Sequence, residues 1–228
     1  MDVSIHPDRA TLADAAASII VERSAAGPMT LGLAGGSTPA DTYDALGRFD
    51  VDWDAVSLWL SDERWVAHDD PESNGRMALE HLPDGAASRL LRPHFSSYLD
   101  PHDSAAHYDA ALRQMHGERP PDLILLGMGV DGHTASLFPG TDALDADPHR
   151  WFVANHVPQL DTWRLTATPS LLLSATRVLV LVSGASKASV LREVVEGPDE
   201  LHPLQLLRRS EGNVTIMCDR EAASELTR

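Results

Sequence analysis

The sequence predicts an α/β fold, a mostly parallel sheet with helices on both faces. Short apolar runs bounded by Gly, Pro, Asp and Ser alternate with helical stretches along the chain. Most of these runs are unbroken, as strands covered on both faces are, instead of alternating apolar with polar. The 228 residues, 43% hydrophobic and 23% charged, suffice for a sizeable core, and α/β chains of this length commonly form one unit around one sheet. A single domain over residues 1–228 is therefore expected.

In chain order, an Ala-rich helix is expected over residues 10–23, then a strand over 29–33 that runs into a glycine pair. Pro39 fits the first turn of a helix over 39–46, where its fixed φ is helical and an N–H is not needed. A strand over 55–60 precedes a helix over 75–81, and a longer helix over 104–116 leads to a strand over 122–126. Further strands are expected over 151–155, 177–182 and 213–218. Helices are expected over 169–174, with Pro169 in the first turn, over 186–196 and over 221–226. Residues 69–73, 139–148 and 196–202 are rich in Pro, Gly and acidic side chains and read as exposed loops, none of them an interdomain linker.

Composition excludes several classes of function. Lys and Arg total 18 against 34 Asp and Glu, a formal net charge of −16, so a nucleic acid would meet long-range repulsion and is not an expected partner. No apolar run reaches the roughly 18 residues of a membrane span, so no membrane partner is expected. The first 30 residues lack a basic segment followed by an apolar run and a cleavage site. Cys218, the single cysteine, cannot form an internal disulfide, and a cytoplasmic setting follows. The acidic excess is compatible with a salty cytoplasm and carries nothing about catalysis. His and Asp lie scattered without the spacing of metal ligands, so no metal is expected.

Four stations carry chemistry. In Leu31-Gly-Leu-Ala-Gly-Gly-Ser-Thr-Pro39 a strand meets a glycine pair, two hydroxyls and a helix start. Gly35 and Gly36 let backbone amides approach an anion, Ser37 and Thr38 add donors, and the helix N-terminus adds its dipole. The same residues also suit an ordinary strand-to-helix turn capped by Ser37 or Thr38. The segment is neither a Walker A loop nor a dinucleotide fingerprint, so no nucleotide cofactor is indicated. In Leu58-Trp-Leu-Ser-Asp-Glu-Arg-Trp65 a strand ends in charges; alternation turns Asp62 and Arg64 to one side and Glu63 to the other. Such strand ends line ligand crevices, where Arg64 would stabilise negative charge, or they form structural ion pairs.

The third station, Asp122 to Pro139, empties a buried strand into a glycine-rich turn carrying Asp131 and His133. An imidazole two residues after a carboxylate can be oriented by it, and histidine is a suitable general base for water. At the fourth, Arg177 to Lys187, a strand and a glycine turn put Lys187, the only lysine, in the first turn of a helix, against the dipole preference. A phosphate held between the helix N-terminus and the ammonium removes that conflict. Arg164 is a weaker candidate for the same anion.

Together these stations resemble the 6-phosphogluconolactonase family, within the group that includes glucosamine-6-phosphate deaminases. The motifs that carry the resemblance are Ala34-Gly-Gly-Ser-Thr-Pro39, Ser61-Asp-Glu-Arg64, Ser73-Asn74, the run Gly127 to Pro139 and Ser183-Gly-Ala-Ser-Lys-Ala188. The resemblance implies a modified Rossmann-like fold with no nucleotide, no other cofactor and no obligatory metal. It implies a small-molecule partner, a sugar-phosphate lactone, opened to 6-phosphogluconate in the pentose phosphate pathway by a monomer or small homo-oligomer. Phosphate contacts fall on Gly36, Ser37, Lys187 and Arg164; the catalytic histidine falls on His133 with Asp131 beside it; Arg64 binds or polarises the substrate, and Asp62 and Asn74 line the pocket. Similar deaminases carry Asn-Glu-Pro after the histidine where this chain has Leu137-Phe-Pro139, which makes deamination the lesser enzymatic alternative. A non-catalytic sugar-phosphate sensor is the other alternative; the chain shows no basic helix-turn-helix element to serve one.

Overall fold

The computed structural model describes residues 1–117, 119–210 and 212–227. It opens with a strand absent from the sequence reading, β1 (Asp2–His6), followed by α1 (Arg9–Ala25). Asp8 caps α1 by accepting the Thr11 N–H at 2.8 Å, which satisfies one of the helix's orphan donors. Next come β2 (Met29–Leu33), α2 (Ser37–Leu46), β3 (Val56–Leu60) and β4 (Asp62–Arg64). Two short helices, α3 (Asn74–His81) and α4 (Asp84–Ala87), lead through a two-residue β5 (Leu90–Leu91) to α5 (Pro101–His116). The rest is β6 (Leu123–Gly127), β7 (Phe152–Val157), β8 (Thr162–Ala167), α6 (Pro169–Ser174), β9 (Val178–Val182), α7 (Ala188–Glu196) and β10 (Val214–Asp219).

Seven strands form one sheet in the order β1-β10-β9-β6-β2-β3-β5, and every neighbouring pair is parallel. Period-2 alternation divides its strands between two cores. Ile124, Leu126, Val178 and Val180 pack with Trp59 and Tyr108 on one face. Leu31, Leu33, Leu58, Leu60, Leu123, Leu125, Leu179 and Leu181 pack with Leu12, Ile20 and Tyr43 on the other. Both faces are covered, which is why these strands read as continuous apolar runs. Among the described residues no helix is long and apolar enough to cross a membrane.

The remaining strands make a smaller antiparallel sheet, β4-β8-β7. Ser61 is the joint between the sheets: its N–H donates to Leu33 O at 2.7 Å and its carbonyl accepts from Ala167 N at 2.8 Å. The strand expected over 151–155 belongs to this sheet, not to the parallel one, and its partner β8 was not anticipated. The helix expected over 221–226 is corrected to turns. The Asp219 carboxylate takes the Ala222 N–H at 2.7 Å, a single i+4 bond runs from Ala223 N to Asp219 O, and the bonds that follow are i+3, so no run of i+4 bonds builds a helix. The loops also differ from fully exposed ones: Ser73 is buried, a short 3-10 turn at Asp142–Asp145 buries Ala143, and the His202 side chain is only 12% exposed.

Candidate active site

The parallel sheet reverses its order between β2 and β6. From β2 the chain moves outward to β3 and β5, and from β6 to β9 and β10, so the connections leaving these two carboxyl ends diverge. The crevice left at such a point is where open α/β sheets bind ligands. Here a cleft of about 470 Å³ is walled by Gly36, Asp62, Arg64, Asn74, Asp131, His133, Arg164 and Lys187. Of the residues that the resemblance places in the site only Ser37 lies outside it, on an adjoining recess that shares Gly36, Arg64 and Asn74; Thr38, expected as a second hydroxyl donor, lines neither. A larger groove, about 640 Å³, runs between residues 139–145 and 199–209. It contains none of the expected residues, and ion pairs of Arg208 with Asp199 and Arg209 with Glu200 occupy its rim.

The candidate anion-binding features stand on both sides of the switch point, the glycine turn after β2 and Lys187 after β9. Gly36 is the N-cap of α2 with φ +102°, a conformation that favours glycine, and no side chain caps the helix. Ser37 therefore begins the helix and is not its cap, so the first-turn amides remain open to an anion. Lys187 stands at the N-cap of α7, closing a 3-10 turn (Ala185–Lys187), and is not inside the first α-helical turn as expected. Its Nζ crosses to the β6 loop and donates to Met128 O at 2.8 Å. Burial lowers its pKa and the Asp131 charge opposes the fall. Asp219 braces this turn from β10 by accepting from Ser183 Oγ at 2.5 Å and Gly184 N at 3.1 Å.

The β4 side brings arginines together. In the antiparallel register Arg64 faces Arg164. Arg164 Nε is buried with no partner among the described residues, and burial and the Arg64 charge both lower its pKa. A bound anion would relieve the repulsion and satisfy the donor. Arg64 is held from behind by a hydrogen bond from Nη1 to Glu72 O. Asp62 points into the cleft and accepts from Ser136 Oγ at 2.7 Å, whereas Glu63 turns away, as alternation requires. Asn74 Nδ2 donates to Asp62 O at 2.9 Å, which ties α3 to β4.

His133 and Asp131 form a hydrogen-bonded pair. His133 Nδ1 lies 2.5 Å from Asp131 Oδ1, and the His133 backbone N–H donates to the same oxygen at 3.2 Å. Since a carboxylate accepts, Nδ1 carries the proton and Nε2 is left as the basic nitrogen; no hydrogen bond engages it among the described residues. Partial burial works against the charged form of Asp131, but the attraction of His133 and its N–H donors hold the carboxyl below the usual range. The imidazole stacks on Phe138 with centroids 4.0 Å apart. Gly129 permits this packing: a Cβ there would come within 2.1 Å of His133 Nδ1. Ser136 and Phe138 went unassigned in the sequence reading; they lie in the motif around His133, but spacing does not reveal that Ser136 meets an aspartate 74 positions earlier. Among the described residues no group of three His, Cys, Asp or Glu side chains converges as metal ligands do.

Comparison with known proteins places these features in context. The family model of glucosamine-6-phosphate isomerases/6-phosphogluconolactonase matches residues 7–216. A 6-phosphogluconolactonase of Synechocystis is 36% identical over 211 residues, covering 88% of this chain and 85% of that protein. The crystal structure of a 6-phosphogluconolactonase from Shewanella baltica superposes with a TM-score of 0.87 at 27% identity, covering 96% of this chain and 97% of that one. A monomeric glucosamine-6-phosphate deaminase superposes with a TM-score of 0.84 at 28% identity, covering 99% of this chain and 100% of that one.

Proposed function

The chain belongs to the glucosamine-6-phosphate isomerase/6-phosphogluconolactonase family, and on that premise we propose that it hydrolyses 6-phospho-D-glucono-1,5-lactone to 6-phospho-D-gluconate in the pentose phosphate pathway. One observation carries the mechanism: a histidine fixed by a carboxylate through Nδ1, its other nitrogen without a hydrogen bond among the described residues, lines a cleft that is also walled by Arg64, Arg164 and Lys187. His133 Nε2 takes a proton from water as the water oxygen attacks C1 of the lactone. The carbonyl electrons move onto oxygen, and Arg64 stabilises the resulting oxyanion. When the intermediate collapses, the C1–O5 bond breaks and His133 returns the proton to the departing ring oxygen. The C1 carboxylic acid then ionises. Gly36, Ser37, Lys187 and Arg164 hold the phosphate, while Asp62 and Asn74 shape the wall between the two ends.

Residues 1–228 act as one catalytic unit, with β1 closing the sheet beside β10 near the other end of the chain. The enzyme works in the cytoplasm as a monomer or small homo-oligomer, without a metal or other cofactor; its single cysteine, Cys218, leaves no internal disulfide. The similarity to a deaminase of the same fold keeps deamination as a second reading. Against it, Phe138 packs its ring on His133 in the stretch where the deaminase pattern has a glutamate to assist amine chemistry.

Freshly generated lactone, assayed in the presence of a chelator, tests the proposal. Wild type accelerates 6-phosphogluconate formation above the spontaneous rate, and His133→Ala lowers kcat by about 10²–10⁴-fold while still binding 6-phosphogluconate. Lys187→Ala weakens that binding instead. A wild type that binds but does not turn over supports a sensor, turnover of glucosamine 6-phosphate supports the deaminase, and an unimpaired His133→Ala removes the histidine from the mechanism.

A further inference from the structure

The Asp131-Gly132-His133 turn, on which the proposed chemistry rests, is itself held by a residue the mechanism does not use. We propose that His202 is a positioning residue for the turn, acting through a hydrogen bond from its Nδ1 to the Asp131 main-chain oxygen. The inference rests on the lactonase reading only for its kinetic consequence.

His202 lies just before the 3-10 helix Pro203–Arg209, 71 residues from Asp131, and its ring lies against the outer side of the turn. Nδ1 is 3.2 Å from Asp131 O, and Nε2 is 2.7 Å from Glu193 Oε2 on α7. A carbonyl only accepts, so Nδ1 donates to it, while Nε2 lies within hydrogen-bond distance of the Glu193 carboxylate. The ring is thus fixed at both nitrogens, and it fixes the carbonyl of the residue whose side chain orients His133. A second bond runs beside it, from Leu204 N to Gly132 O at 3.0 Å. The fit is close: Gly132 has φ +72°, and a Cβ on it would meet His202 Nδ1 at 2.5 Å.

His202 is anchored in turn. Gln205, 4% exposed, accepts from the Leu201 and His202 N–H groups through Oε1 and donates through Nε2 to Glu193 O and Pro198 O. The turn has bonds of its own, from Gly129 N to His133 O at 2.8 Å and from Gly132 N to Gly129 O at 3.2 Å, but these leave the Asp131 and Gly132 carbonyls to outside partners, and displacement of a catalytic group by about 1 Å can cost about 100-fold in rate. His202 and Leu204 engage those two carbonyls and tie the turn to the segment before the 3-10 helix.

Two near-isosteric variants separate positioning from general stability. In His202→Asn the amide nitrogen can take the place of Nδ1 and keep the bond to Asp131 O; in His202→Gln it reaches toward Glu193 instead. His202→Gln is expected to lower kcat about tenfold with KM changed less than about twofold, and His202→Asn to retain most of the activity. Amide hydrogen exchange in the peptide spanning residues 127–137 rises about tenfold in His202→Gln and stays near wild type in His202→Asn. Wild-type exchange or wild-type turnover in His202→Gln overturns the proposal, as does equal impairment of both variants. A wild type without lactonase activity, with the exchange difference intact, overturns the lactonase reading and supports the positioning role.

Discussion

Glu63 faces away from the cleft, yet it organises one wall of it. Its two oxygens accept from Arg64 N and Asn74 N at 2.8 and 2.7 Å, and from Gly75 N and Ser73 Oγ at 2.8 and 3.0 Å. Burial pushes its carboxyl above the usual range, and these four donors oppose the shift. A carboxylate accepting at the N-terminus of α3 also favours the helix dipole. Glu63→Gln turns one acceptor into an NH₂ that faces donors, so it is expected to destabilise the fold by about 1–3 kcal/mol and to raise KM through Asn74 and Arg64. Urea denaturation and steady-state kinetics check this; a variant as stable as wild type, with unchanged KM, refutes it. At this scale the alternation of Asp62, Glu63 and Arg64 was legible because a strand has only two sides. The Ser136 bond to Asp62 and the His202 contact with the turn were not, because both join residues that only the fold brings near.

Strands buried on both faces were legible, whereas the two edge strands of the parallel sheet, β1 and β5, and the central strand of the small sheet, β8, were not. The apolar runs of β2, β3, β6, β9 and β10 announced themselves, whereas β8 mixes Thr, Trp and Arg with apolar residues and β5 has two residues. β1 is half-exposed and owes its extended form to pairing with β10, which local sequence cannot express. The end of α5 shows what the joining of elements costs. His116 is wedged between Trp59 of β3 and Trp151 just before β7, edge-on to both at 5.8 and 5.5 Å, and neither ring nitrogen has a partner among the described residues. Burial pushes its pKa down from 6.5 to about 4. Between these values the unfolded chain binds a proton that the folded one refuses, so stability falls as pH drops through this window. Asp122, Asp131 and Asp219, held below the carboxylate value of 3.8, lose their contribution only at lower pH and do not mimic the effect. His116→Phe keeps the aromatic packing without the proton, so its thermal midpoint gains on wild type as pH falls from about 7 to about 5. A difference independent of pH contradicts this account of the ring.

At the scale of the whole molecule two charge effects compete. The surface carries ion pairs such as Arg48 with Asp14 and Arg89 with Asp54, which salt weakens, but exposed pairs contribute at most about 1 kcal/mol each. With 34 acidic side chains against 18 Lys and Arg, many carboxylates have no cation to pair with, and the net charge of −16 repels itself across the folded surface. The parallel sheet gives the compact state little room to relieve this, since both faces are sealed by core and, apart from the buried Asp62, Glu63, Asp109 and Asp219, the described carboxylates lie outside it. Raising NaCl from about 0.1 M to about 1 M shortens the screening length from about 10 Å to about 3 Å. Repulsion, the larger effect, is screened more than the pairs are, so the thermal midpoint rises by about 2–4 °C for each kcal/mol relieved. Screening changes most at low salt, whereas exclusion of salt from the protein surface grows steadily with concentration, so the rise is steepest below about 0.3 M. A midpoint that is flat or falling over that first interval means that the ion pairs outweigh the surplus charge, and that the acidic surface is not a burden that salt relieves.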